Sequence, residues 1–271
     1  MDSSSQPTHP ARLHVVLARD AHVAVILRRG PSKWVRLIKW STDTDTFERG
    51  QWFNGAIFDN TCDLSPDGEH FVYCARKLNR RNLMSDVGYC WTTVSRPPFL
   101  TAVALWNAVP SNGGGGSFQS NNHLSIFSDS IWPLRLPFCR PLKGSLPLNI
   151  VVTTNVGSYY DLMLKPRGWH MFGDEGYIKK LQSGVELKQQ QLPYDHEFGI
   201  EYTLRSRGRD YSLERVEWCD IDHNGRLVFA RDGKLYAVTN PKNGIENLEV
   251  LADFNVEKPE AIPPPSWALH W

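Results

Sequence analysis

Short runs of Val, Ile, Leu and aromatic residues recur about every ten residues along the chain, separated by Gly, Pro, Asp, Asn and Ser. Residues 13–18 and 22–27 are almost wholly apolar, whereas 34–40 alternates loosely between apolar and basic side chains, as a half-buried strand does. The same reading predicts strands at 46–53, 71–75, 89–94, 100–106, 148–153, 159–164, 200–204, 213–219, 226–230 and 234–238. Residues 177–191 admit a short helix, although Gly184 interrupts it and no clean apolar face forms. Residues 110–122, with Gly113 to Gly116 and many Ser and Asn, read as a flexible loop. Residues 1–11 read as a mobile tail, which leaves 12–271 as a single domain. The Pro263-Pro264-Pro265-Ser266-Trp267 stretch is expected to pack across the surface.

One phrase occurs twice. Cys62-Asp63-Leu64-Ser65-Pro66-Asp67-Gly68 precedes the strand at 71–75, and Cys219-Asp220-Ile221-Asp222-His223-Asn224-Gly225 precedes the strand at 226–230. Each reads as strand, Asp/Asn-Gly turn, strand. Strands at this spacing without a long helix argue for a sandwich, barrel or propeller. A repeated strand-turn-strand unit favours the propeller. The copies lie 219 − 62 = 157 residues apart, about four units of ~40 residues. The expected fold is therefore all-β and β-propeller-like, with five or six blades of antiparallel strands.

Residues 64–73, Leu-Ser-Pro-Asp-Gly-Glu-His-Phe-Val-Tyr, resemble the Pro-Asp-Gly blade motif of Tol-type and prolyl-oligopeptidase-type β-propellers. In those families the turn joins two strands of one blade. The second copy lacks the Pro and matches loosely. Residues 27–32 taken with 62–68 also resemble an uncharacterised family. What these resemblances imply is a fold, with no activity attached.

Thirty basic and twenty-nine acidic side chains leave a net charge of +1, which makes no electrostatic case for nucleic acid or an anionic membrane. The N-terminus carries neither a basic n-region nor an apolar h-region, and the apolar runs are too short to span a bilayer. A soluble, cytoplasmic protein is expected. Five cysteines at 62, 74, 90, 139 and 219 form no Cys-x-x-Cys pair and no zinc spacing, so structural thiols are expected ahead of a disulfide or metal. No nucleophile elbow, His-Glu-x-x-His, phosphate loop or dinucleotide fingerprint is present, and no cofactor is expected.

Candidate chemistry is spread thinly. Asp63 and Asp220 read either as a catalytic carboxylate pair or as turn caps repeated in each blade, the second being favoured. Asp195-His196-Glu197 and Asp222-His223 are acid/histidine neighbours, but adjacent strand residues point to opposite faces. Arg28, Arg29 and Trp34 flank an early turn; they read as a cationic and aromatic patch for a carbonyl, phenolate or carboxylate, or as an exposed turn with a packed Trp. Tyr159 and Tyr160 read as phenolic donors or as ordinary strand residues. His170 beside Trp169, and His123, read as groups at a channel mouth or as surface histidines. Ten tryptophans are an unusual number, and some of the rings are expected to face a ligand. The candidate catalytic set is Arg28, Tyr160 and His170. The candidate binding set is Arg29, Trp34, Trp52, Trp91, Trp106, Tyr159 and Trp169.

Three functions fit. The first is binding of a small, largely apolar or aromatic molecule in a central aromatic pocket, with cofactor-free cyclisation, isomerisation, lyase or pericyclic chemistry by orientation and hydrogen bonding. The second is a protein-interaction scaffold with aromatic and Arg hot spots. The third is a carbohydrate-binding or glycoside-active propeller, against which the N-terminus counts.

Overall fold

The computed structural model describes residues 9–30, 32–84, 88–108, 114–128, 147–153, 162–173, 176–181, 183–192 and 199–271. They form five sheets in a five-bladed β-propeller arrangement. The first sheet holds β1 (Arg12–Leu17), β2 (Val23–Arg29), β3 (Trp34–Ser41) and β4 (Thr46–Asn54). The second holds β5 (Ala56–Leu64), β6 (Phe71–Arg76), β7 (Cys90–Ser95) and β8 (Ala102–Asn107). The third holds β9 (Gly116–Ser120), β10 (His123–Phe127) and β11 (Asn149–Thr153), the last pairing parallel to β10.

The fourth is a five-stranded meander of β12 (Trp169–Phe172), β13 (Gly176–Lys180), β14 (Glu186–Gln191), β15 (Ile200–Ser206) and β16 (Arg209–Leu213). The fifth holds β17 (Trp218–Ile221), β18 (Leu227–Arg231), β19 (Lys234–Val238) and β20 (Leu248–Asp253). No helix among the described residues is long and apolar enough to cross a membrane.

Strand character follows burial. In β2, β6 and β18 nearly every residue is buried, because neighbours cover both faces of an interior strand. The outer strands β4 and β20 are mostly exposed or half-buried and carry the polar residues. The helix expected within 177–191 is instead the hairpin β13–β14, turned through Gly184 at φ +79°. Isolated apolar residues flanked by Lys and Gln bury one face of a strand as readily as one face of a helix.

The loop expected over 110–122 ends early, for Gly116–Ser120 is β9. Gly115 is a packed entry to that strand: a Cβ there would lie 2.1 Å from the Thr61 carbonyl oxygen, and its N–H donates to Thr92 Oγ1 at 2.9 Å. Of the strand expected over 159–164, residues 159–161 lie outside the described residues, and Leu162 and Met163 take a helical turn.

The chain divides into two compact units. One comprises Met1–His14, Arg28–Pro31 and Leu164–Lys258. The other comprises Val15–Leu27, Ser32–Met163 and Pro259–Trp271. The core of the former joins the fourth and fifth sheets through Trp169, Leu187, Leu204, Leu227 and Phe229. The latter has two clusters, one around Leu27, Leu37, Leu64 and Phe71, the other around Val72, Val94, Trp106 and Phe118. Its C-terminal segment packs across β4 and the second sheet, as the sequence suggested. Glu260 pairs with Arg36 at 3.0 Å, Gln51 Nε2 donates to the Ile262 carbonyl at 2.9 Å, Trp267 meets Phe99 edge-on, and Trp271 stacks on His70 at 4.0 Å.

The repeated phrase falls in the second and fifth sheets, three sheets apart rather than four, because the intervening sheets and their connections are long. Both turns close alike: Gly68 N–H donates to the Ser65 carbonyl and Gly225 N–H to the Asp222 carbonyl, with φ of +77° and +74°. Glycine adopts that left-handed backbone without a Cβ clash. Within the turns, Asp67 accepts from Ser65 Oγ and Glu69 N, and Asp222 from Asn224 N and Arg226 N.

The aspartates one step earlier do something else. Asp63 Oδ1 accepts the Leu64 N–H, while its Oδ2 accepts from Phe118 N at 2.7 Å and Ser117 Oγ at 3.0 Å in the third sheet. Asp220 Oδ1 accepts the Ile221 N–H and pairs with Lys179 Nζ at 2.5 Å, and its Oδ2 accepts from Trp169 Nε1 at 3.3 Å, both in the fourth sheet. They are ties between sheets.

Two stability outcomes follow. Asp63→Ala strands the buried Phe118 N–H and should lower the unfolding free energy by about 2–4 kcal/mol, read as a shifted midpoint in urea. Gly115→Ala should destabilise by at least about 2 kcal/mol, whereas Gly208→Ala, with nothing within 4 Å of its Cβ position, should lose only the left-handed backbone preference of about 1 kcal/mol.

Candidate functional site

Inside the first strand His14 is set among apolar residues, Leu13-His14-Val15-Val16, and the approach to β17 carries Glu217 between Val216 and Trp218. In the unit built from Met1–His14, Arg28–Pro31 and Leu164–Lys258, these two residues come to lie near the same arginine. The Leu13 N–H donates to Glu217 Oε2 at 2.7 Å, which fixes the carboxyl against β1. The Glu217 backbone N–H is itself held by the Ala230 carbonyl at 2.9 Å.

Electrostatics then separates the two groups. Burial pushes the Glu217 carboxyl up to about 7; the Leu13 N–H, Arg12 and Arg29 oppose this and Asp232 adds to it. Burial pushes His14 down to about 3, and the charges of Arg29 and Arg167 act in the same direction. At neutral pH the imidazole is uncharged while the carboxyl is shared between its acid and base forms. Two groups whose proton affinities are driven apart near one arginine, Arg29, are an arrangement chemically suited to moving a proton.

Arg29 therefore belongs to this cluster. Its neighbour Arg28 points the other way along the strand and is buried: Nε donates to the Phe254 carbonyl at 3.0 Å, Nη2 to that of Asn255 at 3.1 Å, and Nη1 to that of Gly30. Those bonds tie β2 to the segment after β20. In the same unit Trp169 is buried, its indole N–H on Asp220 and the Lys179 ammonium 5.4 Å from the ring centroid. His170, next on β12, is exposed.

The remaining candidates fall in the other unit. Trp34 is half-buried at the start of β3, opposite Asn54. Trp52 is half-buried on β4 with the Arg36 guanidinium 5.2 Å from its ring centroid. Trp91 packs partly buried against the cluster of Ile57, Leu64 and Tyr73. Trp106 is buried with Val94 and Phe118. Tyr159 and Tyr160 lie outside the described residues, as do the Asp195-His196-Glu197 group and Cys139. Among the described residues no group of three or more His, Cys, Asp or Glu is placed to hold a metal ion.

His14, Arg167 and Glu217 were not singled out from the sequence. A legible signal existed, a titratable residue flanked by apolar ones, but only the bond from the Leu13 N–H to Glu217 shows that Glu217 lies against β1.

No family model matches the chain, and no curated protein matches it. Among solved structures it is similar to the uncharacterised protein lmo1340 from Listeria monocytogenes EGD-e, with 8% sequence identity over 92% of this chain and 85% of that one, at a TM-score of 0.27.

Proposed function

We propose that this protein binds a small, largely apolar or aromatic organic molecule bearing a carbonyl or carboxylate group, and isomerises or cyclises it by proton transfer without a cofactor. The observation that carries the reading is the Leu13 N–H bond that seats Glu217 against β1 at 2.7 Å, with burial pushing the Glu217 carboxyl up and His14 down near Arg29 in support. In this scheme the Arg29 guanidinium holds the substrate oxygen. The Glu217 carboxylate takes a proton from the carbon next to the carbonyl, and negative charge grows on the oxygen facing Arg29. Glu217 then returns that proton at another carbon, which completes an isomerisation. Alternatively the carbanion closes a ring on a second carbonyl carbon of the same molecule: the C–C bond forms, that C=O π bond breaks, and the alkoxide takes the proton back from Glu217. Neutral His14 serves as a hydrogen-bond partner that adds no positive charge. Arg28, Trp169 and His170 stand beside this proposal as positioning and lining residues to be tested.

A second reading, a protein-interaction scaffold, draws on the outer strand β20, where Leu248 and Val250 are 41% and 52% exposed. An exposed strand with apolar side chains can take an added strand from a partner.

Titration with 2-naphthoate, followed by protein NMR shifts, tests the first reading. Binding should weaken at least about tenfold in Arg29→Met, while Arg209→Met, on an exposed strand position, should leave it unchanged. Equal affinity in wild type and Arg29→Met removes the site. Incubation of wild type and Glu217→Gln with small-molecule extracts should show a metabolite consumed only by the wild type, with a rate that rises with pH through about 7.

Stability supplies a further check. Because folding lowers the proton affinity of His14, its contribution is complete above pH 6.5 and is lost as pH falls towards about 3. His70, pushed down to about 4 by burial and Arg96, acts in the same window. Glu217 acts oppositely, adding stability as pH falls from about 7 to its ordinary range near 4.5. Thermal melts of His14→Asn should therefore lose less stability than wild type between pH 6.5 and 4, and Glu217→Gln should lose more between pH 7 and 4.5.

A further inference from the structure

Three of the described cysteines, Cys62, Cys74 and Cys90, lie on consecutive strands of the second sheet and are all buried. Cys62 Sγ donates to the Phe58 carbonyl at 3.0 Å. Cys74 and Cys90 instead meet each other, sulfur to sulfur, at 3.7 Å. They are diagonal neighbours across β6 and β7, since Cys74 is registered with Thr92 and Cys90 with Arg76. We propose that Cys74 and Cys90 are a redox pair, which a hydroperoxide converts to an intramolecular disulfide and a dithiol reductant restores.

The two sulfurs are chemically unequal. Either sulfur can be the donor across this contact; with the proton kept on Cys74, the thiolate is favoured at Cys90. The positive charge of Arg76, across the strand from Cys90, favours the same thiolate. Cys90 is therefore the attacking sulfur and Cys74 the resolving one. The Cys90 thiolate attacks one peroxide oxygen; an S–O bond forms, the O–O bond breaks, and the departing alkoxide or hydroxide takes up a proton. Cys74 then gives up its proton and attacks the Cys90 sulfur. The S–S bond forms, the S–O bond breaks, and hydroxide leaves with the Cys74 proton as water. Two thiols lose two electrons, and one hydroperoxide becomes an alcohol, or water, plus a second water.

The register says what kind of bond this is. The sulfurs must close by about 1.6 Å to reach bonding distance. Diagonal partners in a sheet are also set wider than the usual Cα separation of a disulfide. The strands must draw together, so the bond is strained and easily reduced, the behaviour of a regulatory disulfide rather than a staple. Its reach extends to the third sheet, because Thr92 Oγ1 holds the Gly115 N–H and a Cβ on Gly114 would lie 2.5 Å from Cys74 Sγ. Cys90 is the first residue of β7, so fraying of one strand end exposes it to a small oxidant.

Intact-mass spectrometry of the whole folded protein with hydrogen peroxide tests the assignment. Wild type should lose about 2 Da, regain it with dithiothreitol, and yield a peptide joining Cys74 to Cys90. Cys74→Ser should instead gain about 16 Da as a dimedone-reactive sulfenic acid at Cys90. Cys62→Ser and Cys139→Ser should behave as wild type. The proposal is overturned if peroxide leaves wild type unchanged, if Cys90 proceeds to sulfinic acid without cross-linking, or if the bridge involves another cysteine. The wild-type measurement decides the matter even where a variant fails to fold.

Discussion

Each of two buried carboxylates, Asp63 and Asp220, ties its own strand to the sheet next to it, and much of the structure hangs on that constraint. A carboxylate taken out of water loses its hydration and must be repaid with donors. Here the donors come from two sheets at once. One oxygen is spent on the following backbone N–H, which holds the carboxylate to its strand. The other reaches forward from the second sheet to the third for Asp63, and back from the fifth to the fourth for Asp220. The same motif position thus serves opposite directions. Apolar burial alone would leave packed sheets free to slide; directional bonds to Phe118 N and the Trp169 indole set their register.

This explains which parts of the architecture could be read from the chain. Asp-Gly turns flanked by apolar runs act locally, so the hairpins at Gly68, Gly225 and Gly233 were legible. Gly113 to Gly116 was not: in composition a glycine run reads as slack chain, while in the fold Gly115 is small because the Thr61 carbonyl occupies the space a Cβ would need. The stretch at 177–191 failed for a related reason. Its apolar residues match a two-residue period only when Tyr177, Val185 and Leu187 are seen packed in one core cluster with Trp169. The five-bladed arrangement was recoverable; the strands β9, β10, β12, β13, β14, β16 and β20 and the parallel pairing of β11 were not.

The candidate site shows a similar division. Aromatic abundance drew attention to tryptophans, yet Trp106 and Trp169 are core members and Trp91 packs on a core cluster. The ionisable groups His14 and Glu217, displaced by burial, lie instead where polar residues interrupt apolar stretches. Arg29 drew attention in the sequence because it stands beside a turn. His14 and Glu217 acquire meaning only by adjacency, since a backbone N–H of β1 is what draws Glu217 in. Side chains that look conspicuous in a list of residue types are often fillers, and the informative ones are those whose burial has to be compensated.

Neither unit is a continuous piece of chain. Residues 259–271 complete the unit that holds the second sheet, although nearly all of the other unit, 164–258, is written between them and it. As a ribosome delivers the polypeptide from N- to C-terminus, Phe99 and His70 emerge long before Trp267 and Trp271, the rings that cover them. The second sheet therefore waits with aromatic surface open to water until the last described residues arrive. During that interval the nascent chain presents what chaperones bind.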